Sequence, residues 1–424
     1  MPAARENHTI LLKSDGTAAA FGDNEFGQCN IPALPQGITY TQAAAGRLHT
    51  VLLKSDGTAA ACGDNEFGQC DIPTLPQGIT YTQAAAGRMH TVLLKSDGTA
   101  AACGRNQSGQ CNIPALPEQV TYIQVAAGGF HTVLLKSDGT AAAVGDKNFG
   151  QCNIPALPKK VTYTQAATGI LHTVLLKSDG TAAAYGDSDR GQCNFPALPE
   201  GVTYIEVATV DRHTVVLRSD GTAAAFGNNF FGQCNIPVLP EGVTYTQVAA
   251  GGAHTVVLRS DGTAAAFGNN FFGQCNIPAL PEGVTYTQAA AGCSHTVVLR
   301  SDGTAAAFGC NLFGQCDIPD LPAAEGISYI RSDDQRPRTI VNIQFGNQYA
   351  AFYLLSGEEV LRVQVNAGDN LSDLRLKYLS GIAGMRRRLC AVLPTGVLLD
   401  EQCAQTPSAS LEPWLLRKRA RSPE

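Results

Sequence analysis

The stretch HTVLLKSDGTAAACG at residues 49–63, followed by DNEFGQCDIPTLPQGITYTQAAAG at residues 64–87, decides the fold because it recurs. After Arg88 and Met89 the next His-Thr pair begins the same pattern again, 41 residues after the previous one. This step is kept without a slip, and a fixed period of about 40 residues predicts a solenoid or a propeller. The histidines of these pairs are all eight in the chain: His8, His49, His90, His131, His172, His213, His254 and His295.

Each unit contains three short segments that favour β-strands. HTVLLK is β-branched and apolar, which is typical of a strand buried on both faces. The Asp-Gly that follows is a hairpin signal because glycine tolerates positive φ. The alanine-rich TAAAC returns as a second strand, and ITYTQAAAG supplies a third. NEFGQCNIPALPQG, with its glycines and prolines, predicts a loop along the outer edge, with a fourth strand if Cys-Asn-Ile pairs.

A sheet of this size cannot bury both faces alone, so it must stack on its neighbours. All-β units of this length, four to eight in number, fit a β-propeller, and an open solenoid is the alternative. The chain begins inside a unit, at the HTILLK strand of residues 8–13, and leaves the repeats with a surplus strand, ISYIRS, at 327–332. Pairing of these segments would close the ring and remove exposed sheet edges. We predict about eight blades over residues 1–333, with seven as the alternative.

Composition excludes several classes of function. The net charge of −6 gives no overall basic field for nucleic acid. No run approaches eighteen apolar residues, and MPAARENHTILL lacks the apolar core of a signal peptide. The 14 cysteines include no CxxC, and eight of them occupy one position of the unit, so we interpret them as structural thiols. These features favour a reducing compartment and neither a membrane nor a nucleic-acid partner.

The pattern HTVLLxSDGTAxAxGxNxxGQC resembles the regulator-of-chromosome-condensation (RCC1) repeat, which a bacterial β-lactamase-inhibitor propeller shares. The resemblance covers residues 5–332 and implies a β-propeller, usually of seven blades. Proteins with this repeat include exchange factors for a small GTPase, propellers attached to HECT-type ubiquitin ligases of the HERC class, and a plant UV-B photoreceptor. The photoreceptor needs a tryptophan cluster, whereas the only tryptophan here, Trp414, lies outside the repeats. No unit carries the extra hairpin of an exchange factor, and the chain leaves no room for a HECT domain.

No position in the repeats has the pattern of an active site. Catalysis needs groups of different roles in one constellation, whereas His, Asp and Cys recur here in the same register in every unit. We interpret the histidines as strand-start residues that satisfy backbone groups between blades, with a metal or general-base ring as the alternative. Neither GxGxxG nor GxxxxGK[ST] is present to hold a phosphate. We therefore predict no catalytic residue, no cofactor and no metal site.

The units differ from one another at two places, which predict where a partner binds. One variable pair precedes each histidine, and a second variable patch precedes each Gly-Gln. If the three strands alternate in direction, both places lie at one end of the blades, the variable face, and the uniform Ser-Asp-Gly turns lie at the other. The alternative is drift of exposed loops, with one phenylalanine of each pair packed under its own loop. Because arginine and aromatic residues dominate interface energies, the candidate contacts are Arg47, Arg88, Arg212, Phe230, Phe231, Phe271 and Phe272.

After residue 333 the period ends. Residues 334–349 are predicted as a linker with one extra strand, and residues 350–416 as a small α+β domain. AAFYLLSGEEVLRVQVNAGD predicts a hairpin, LSDLRLKYLSGIAG a short helix, and RRRLCAVLPTGVLLD two strands joined by a turn. This order resembles a ubiquitin-like β-grasp domain, which without a C-terminal Gly-Gly would serve as a docking module. The basic tail, 417–424, is interpreted as solvated, with a nuclear-import signal as the alternative.

These observations predict a monomeric, non-catalytic protein-interaction scaffold with a link to ubiquitin signalling. We expect it in the cytoplasm, with the nucleus as the alternative. The first competing function is a guanine-nucleotide exchange factor for a small GTPase. The second is the substrate-recognition part of a HECT-type ubiquitin ligase that lacks its catalytic domain. The fold alone does not identify the partner, because sites are grafted on folds.

Overall fold

The computed structural model describes residues 2–319 and 327–330, together with strands between residues 339 and 399. The chain divides into two compact units, Met1–Gln335 and Arg336–Glu424. Every regular element within these described stretches is a β-strand. The strands are β1 (Ala3–Arg5), β2 (His8–Lys13), β3 (Ala18–Gly22), β4 (Tyr40–Ala45), β5 (His49–Lys54), β6 (Ala59–Gly63), β7 (Tyr81–Ala86), β8 (His90–Lys95), β9 (Ala100–Gly104), β10 (Tyr122–Ala127), β11 (His131–Lys136), β12 (Ala141–Gly145), β13 (Tyr163–Thr168), β14 (His172–Lys177), β15 (Ala182–Gly186), β16 (Tyr204–Thr209), β17 (His213–Arg218), β18 (Ala223–Gly227), β19 (Tyr245–Ala250), β20 (His254–Arg259), β21 (Ala264–Gly268), β22 (Tyr286–Ala291), β23 (His295–Arg300), β24 (Ala305–Gly309), β25 (Tyr329–Ile330), β26 (Thr339–Phe345), β27 (Tyr349–Leu354), β28 (Glu359–Gln364), β29 (Leu389–Val392) and β30 (Leu398–Leu399).

Each complete repeat forms one antiparallel blade of three strands. In blade 2, β4 is the inner strand, β5 the middle strand and β6 the outer strand. His49 pairs with Gly63 across the middle and outer strands, and Tyr40 pairs with Lys54 across the inner and middle strands. The Cys-Asn-Ile segment adds no fourth strand in any blade. The prediction of three strands per unit is confirmed.

The middle strands form the cores between blades, as their continuous apolar pattern predicts. Val51, Leu52 and Leu53 of β5 are buried. Val51 and Leu53 pack with Ala84 and Leu93 of the next blade. The poor strand propensity of alanine is overridden here, because small side chains on the neighbouring strands let the sheets pack closely.

A tyrosine in each inner strand fixes the proline-rich segment along the outer edge of its blade. The Tyr40 hydroxyl donates a hydrogen bond of 2.7 Å to the Pro32 carbonyl, and Tyr81 bonds Pro73 in the same way at 2.6 Å. The tyrosine hydroxyl therefore holds the proline-rich segment against its blade, although that segment forms no fourth strand.

The ring closes between the two ends of the repeat region. Leu12 pairs with Ile330 and Lys13 with Tyr329, so β25 forms half of the inner strand of blade 1. The Tyr329 amide also donates to the Gly303 carbonyl of blade 8 at 2.8 Å, which copies the contact between Tyr40 and Gly16. The predicted pairing of these segments and the count of eight blades are confirmed, and the alternative of seven is wrong.

The other half of that inner strand comes from the first residues of the chain. β1 pairs with β2 through Ala3 and Ile10, Ala4 and Thr9, and Arg5 and His8. Residues 3–7, AAREN, therefore take the places that AAGRL, residues 44–48, has in blade 2. The expectation that the chain starts without this strand was wrong: two short segments share one edge of β2.

The C-terminal unit contains one five-stranded sheet with the order β28-β27-β26-β29-β30. The predicted hairpin corresponds to β27 and β28, which pair antiparallel, and β29 and β30 form the second predicted strand pair. β26 is the extra strand predicted within the linker, residues 334–349, and pairs antiparallel with β27 and parallel with β29. The predicted helix at 371–384 and the tail 417–424 lie outside the described residues.

Candidate partner-binding face

Both variable places lie at the same end of each blade. The mouth loops join inner and middle strands: 6–7, 47–48, 88–89, 129–130, 170–171, 211–212, 252–253 and 293–294. The rim loops follow the outer strands: 23–28, 64–69, 105–110, 146–151, 187–192, 228–233, 269–274 and 310–315. In blade 2 the two are joined directly, because the Asp64 amide donates to the Leu48 carbonyl at 2.8 Å. This end is the variable face.

The mouth loops surround the channel that the inner strands enclose, and several bond to the next blade. The Arg88 amide donates to Gly128 at 3.3 Å, and the Cys293 amide donates to Glu6 at 3.3 Å across the closure. Gly46 precedes the mouth loop of blade 2, and a Cβ there would overlap the buried His49 ring. Glycine therefore occupies this position in six blades, and the exceptions are Arg5 and Val210.

These two exceptions line a small cavity at the channel mouth. Its wall includes Arg5, Glu6, Asp211 and Cys293, contributed by blades 1, 6 and 8. The Arg5 guanidinium reaches further and donates to the Ala86 carbonyl of blade 3 at 3.5 Å. The pKa of Asp211 is raised to about 6, chiefly by burial and also by the neighbouring Glu6, while Arg5 opposes the rise. The Arg5 hydrogen bond and the charges around Asp211 therefore connect blade 1 with blades 3 and 6 at the channel mouth.

Rim loops share one backbone conformation that is fixed by their own side chains. In blade 2 the Asp64 carboxylate accepts from the Glu66 amide at 3.0 Å, and Gln69 Oε1 accepts from the Phe67 amide at 3.0 Å. The same acceptor role is held by Asn228 towards Phe230 in blade 6, at 3.0 Å. The residues that follow the Asp or Asn acceptor differ between blades while the hydrogen bonds persist. The loop backbone is therefore constant and its side chains vary.

The phenylalanine candidates project from these loops. Phe230 and Phe271 are 83% and 85% exposed, and Phe231 and Phe272 are 48% and 44% exposed. Within each pair the rings meet edge to face, at 4.9 Å for Phe230–Phe231 and 5.1 Å for Phe271–Phe272. The second ring is partly packed, as the alternative interpretation allowed, whereas the first is largely exposed and contacts the second ring of its own loop. Leu312, at 77% exposed, continues this surface into blade 8.

The arginine candidates do not form one cluster. Arg212 is exposed, while Arg47 and Arg88 are half-buried. The Arg88 guanidinium lies 5.7 Å from the Phe130 ring, and Arg105, which the sequence did not single out, stacks on Phe67 and Phe130 at 5.5 Å each. Arg88 thus packs against its neighbour, and Arg212 is the exposed one of the three candidate arginines.

The histidines lie between the blades, as predicted, but bond a side chain instead of backbone. His49 Nε2 lies 3.0 Å from Thr91 Oγ1 of the next blade, and Thr91 Oγ1 donates to the Gln69 carbonyl at 2.8 Å. Because the only hydroxyl hydrogen goes to the carbonyl, His49 Nε2 must carry the proton and donate it. All eight rings are buried, and burial lowers the pKa of His49 to about 3 and of His90 to about 4. These are neutral rings that hold neighbouring blades together.

The repeated cysteine closes the rim loop. Cys70 Sγ donates to the Asp64 carbonyl at 3.4 Å, and its amide donates to Asn65 Oδ1 at 2.8 Å. The side chain is half-buried instead of fully buried, and burial raises its thiol pKa to about 11. A thiol with this pKa is a poor nucleophile, which agrees with a structural role.

Two kinds of site are absent from the described part of the chain. No group of three or more His, Cys, Asp or Glu side chains is arranged to hold a metal ion there. No helix among these residues is long and apolar enough to cross a membrane.

A closed ring of eight three-stranded blades, with the variable loops at one end, defines an all-β repeat propeller. The model for the regulator of chromosome condensation (RCC1) repeat matches residues 40–69, 81–110, 122–151, 204–233 and 245–274. Each match runs from the inner-strand tyrosine to the glutamine of the rim loop. Comparison with curated protein sequences gives no significant match.

Solved structures with similar folds include the crystal structure of Prp20p from Saccharomyces cerevisiae, described with its binding to Gsp1p and histones. It is 17% identical and matches 69% of this chain and 91% of that chain with a TM-score of 0.51. Human WBSCR16 is 22% identical over 57% of this chain and 79% of its own, with a TM-score of 0.46. The CRINKLY WD40 ectodomain of the Arabidopsis thaliana receptor kinase ACR4 is 18% identical over 65% and 96%, with a TM-score of 0.46. The repeat matches and the fold of Prp20p support an RCC1-like repeat propeller.

Proposed function

We propose that this chain is a non-catalytic protein-interaction scaffold that binds a protein partner on its variable face. The observation that carries this proposal is the exposure of Phe230 and Phe271. Their loops keep the same hydrogen bonds in blades where the equivalent residue is Glu25 or Glu66. The fold therefore does not require an aromatic side chain there, and large exposed apolar groups on an ordered surface are typical of interaction sites.

The polar residues that recur in every blade support a non-catalytic role, because their side chains already serve the structure. The His and Thr side chains that recur in each blade are buried and used between blades. The Asp of each Ser-Asp-Gly turn is also used structurally, since Asp56 Oδ1 accepts from the Thr58 amide at 2.9 Å. Side chains that differ between blades are what remains for recognition, and they are concentrated at one end.

Affinity capture with the full chain tests this proposal. The wild type is compared with a variant in which Phe230, Phe271 and Arg212 are changed to Ser, Ser and Glu. A matched control changes Asp56 and Asp97 to Asn in the uniform turns at the opposite end. We expect the first variant to lose a partner that the wild type and the control retain. Retention of every captured partner by the first variant would contradict binding through this face.

The narrower functions remain predictions with direct tests. Exchange activity would appear as accelerated release of a fluorescent guanine nucleotide from a small GTPase. A role as the recognition part of a HECT-type ligase would appear as stable co-purification with a ubiquitin-transfer enzyme. The ubiquitin-like C-terminal domain, the monomeric state and the cytoplasmic location, with the nucleus as its alternative, are likewise proposals. Imaging of the full chain with and without residues 417–424 tests the location.

A further inference from the structure

The side chains at the tips of the rim loops change chemistry in order around the ring. Blades 6, 7 and 8 present an apolar sector, whereas blades 1 and 2 present an acidic sector. Closure places blade 8 beside blade 1, so the two sectors adjoin along five consecutive blades. The apolar sector is Phe230, Phe231, Phe271, Phe272, Leu312 and Phe313, and the acidic sector is Asp23, Glu25, Asp64 and Glu66.

The residues that cap the rim loops sharpen this division. Asp23 and Asp64 cap the loops of the acidic sector with their carboxylates, at 3.1 and 3.0 Å. Asn228 and Asn269 make the same bond in the apolar sector, at 3.0 and 2.8 Å. Asparagine keeps the acceptor and removes the charge, so the rim loops of blades 6–8 contain no ionisable side chain except Cys310.

Both sectors are available to a ligand. Glu25 and Glu66 are exposed, and among the residues that the structure describes neither forms an ion pair. On the inner side of the apolar sector, Asp211 and Arg212 carry opposite charges that offset one another. Because the loops are fixed by internal hydrogen bonds, binding would order few groups, which reduces its entropic cost.

We propose that the variable face binds a protein segment that has aromatic or aliphatic anchors on one side and lysine or arginine on the other. The anchors pack on the apolar sector, and the cations lie over the acidic sector. This inference rests on the proposed function and specifies the chemistry of the partner. Apolar anchors would supply most of the affinity, whereas the carboxylates would favour basic partners and speed association.

Selection from a phage-displayed library of random twelve-residue peptides on the immobilised full chain tests the inference. We expect enrichment of peptides that combine aromatic or aliphatic residues with lysine or arginine. The main variant is F230E/F271E/L312E, which should fold because blades 1 and 2 carry glutamate at this loop position. Its binding of the selected peptides should fall at least tenfold, with an unchanged thermal melting curve.

Two further variants separate the contributions of the sectors. E25Q/E66Q should weaken the same peptides less than the main variant does and flatten their dependence on salt, because screening acts on the lost charges. Q107A/N148A, at the equivalent position of blades 3 and 4, should leave binding unchanged.

Three results would overturn the inference. The first is enrichment of acidic peptides that F230E/F271E/L312E still binds and R212E loses, which would leave the proposed function standing. The second is peptide binding that no variant of the face alters, which would count against the proposed function as well. The third is a dimer in sedimentation that F230E/F271E/L312E abolishes, which would assign the apolar sector to a second copy of this chain.

Discussion

His295 Nε2 lies 2.9 Å from Thr9 Oγ1, so the last blade is joined to the first by the contact that joins all other neighbours. The series runs through all eight histidines and returns to its start, for example from His8 to Thr50 and from His49 to Thr91. Each threonine hydroxyl in turn donates a hydrogen bond to the backbone carbonyl of a rim-loop glutamine, as Thr91 does to Gln69. A closed cycle of buried hydrogen bonds therefore connects the blades just below the variable face.

Removing one hydroxyl from this cycle should destabilise the propeller. In Thr91→Val the buried His49 Nε2–H loses its acceptor, and the Gln69 carbonyl keeps only the weaker hydrogen bond from the Cys103 thiol at 3.7 Å. We expect the free energy of unfolding to fall by about 2–4 kcal/mol, since an unsatisfied buried group costs about 1–3 kcal/mol and the lost hydrogen bond to the carbonyl adds about 1 kcal/mol. Urea unfolding followed by circular dichroism measures the change.

The matched control is Thr91→Ser, which keeps the hydroxyl and removes one methyl group. It should cost about 1 kcal/mol, the value of a buried methyl group. Equal losses for Val and Ser would mean that the hydroxyl contributes nothing, and the cycle would then have no energetic meaning.

The same cycle should make the propeller sensitive to acid. The pKa of each buried histidine is lowered, to about 3 for His49, His131 and His254 and to about 4 for the others. Unfolded histidine titrates near 6.5, so below that pH the unfolded chain binds more protons than the folded chain. Each histidine then lowers the free energy of unfolding by about 1.4 kcal/mol per pH unit.

We therefore expect stability to be full above about pH 6.5 and to fall steeply between about pH 6 and pH 4. Asp211 acts in the opposite direction, because its raised pKa makes the folded chain the better proton acceptor, but it is one group against eight. Urea midpoints at pH 7.5, 6.0 and 5.0 measure the dependence, and His131→Gln should reduce its slope. Equal midpoints at pH 7.5 and 5.0 would show that the rings are not buried and neutral.

Much of this fold was readable from the sequence because each blade repeats the same local code. The period gave the number of units, and the Asp-Gly turns and alternating segments gave the strands. The hydrogen-bond partner of His49 could not be predicted, because Thr91 lies in the next blade and the sequence of one unit does not show which residues meet across two blades. The role of Ala3–Arg5 was missed because three residues carry too little pattern; aligning AAREN with AAGRL is the signal that could have found it.

The variable face was placed correctly by strand direction, but its side chains were ranked by residue type alone. Arg88, one of the candidate partner contacts, packs beside Phe130, which lies one blade further on. Phe230 and Phe231 are adjacent residues of the same type, and only the structure shows that Phe230 is 83% exposed whereas Phe231 is 48% exposed. Exposure depends on three-dimensional packing, which a list of variable positions does not contain.

Removing the charge of Glu6 and removing the charge of Arg5, both at the channel mouth, should shift the pKa of Asp211 in opposite directions. Glu6 raises that pKa and Arg5 lowers it, in addition to the larger effect of burial. Glu6→Gln should therefore bring the pKa of Asp211 below about 6, and Arg5→Ala should raise it above that value. Titration of the Asp211 carboxyl carbon by NMR measures both shifts. Arg212→Ala is the control and should raise it less than Arg5→Ala does, because Arg212 has the smaller influence. Shifts of the same sign in Glu6→Gln and Arg5→Ala would exclude this electrostatic coupling.

The composite inner strand of blade 1 should be the weakest point of the ring. Its two halves, β1 and β25, cover opposite ends of one edge of β2, and neither continues into the other. Deleting residues 2–6 removes the partner of His8–Ile10 together with the bond from Cys293 to Glu6. Hydrogen exchange should then accelerate at least tenfold at the amides of β2, because a lost ladder exposes them to water. The equivalent amides of β11 in blade 4 are the internal control and should keep their protection. Equal acceleration in both strands would indicate global destabilisation, and no acceleration in β2 would show that β25 alone is enough to hold the closing edge.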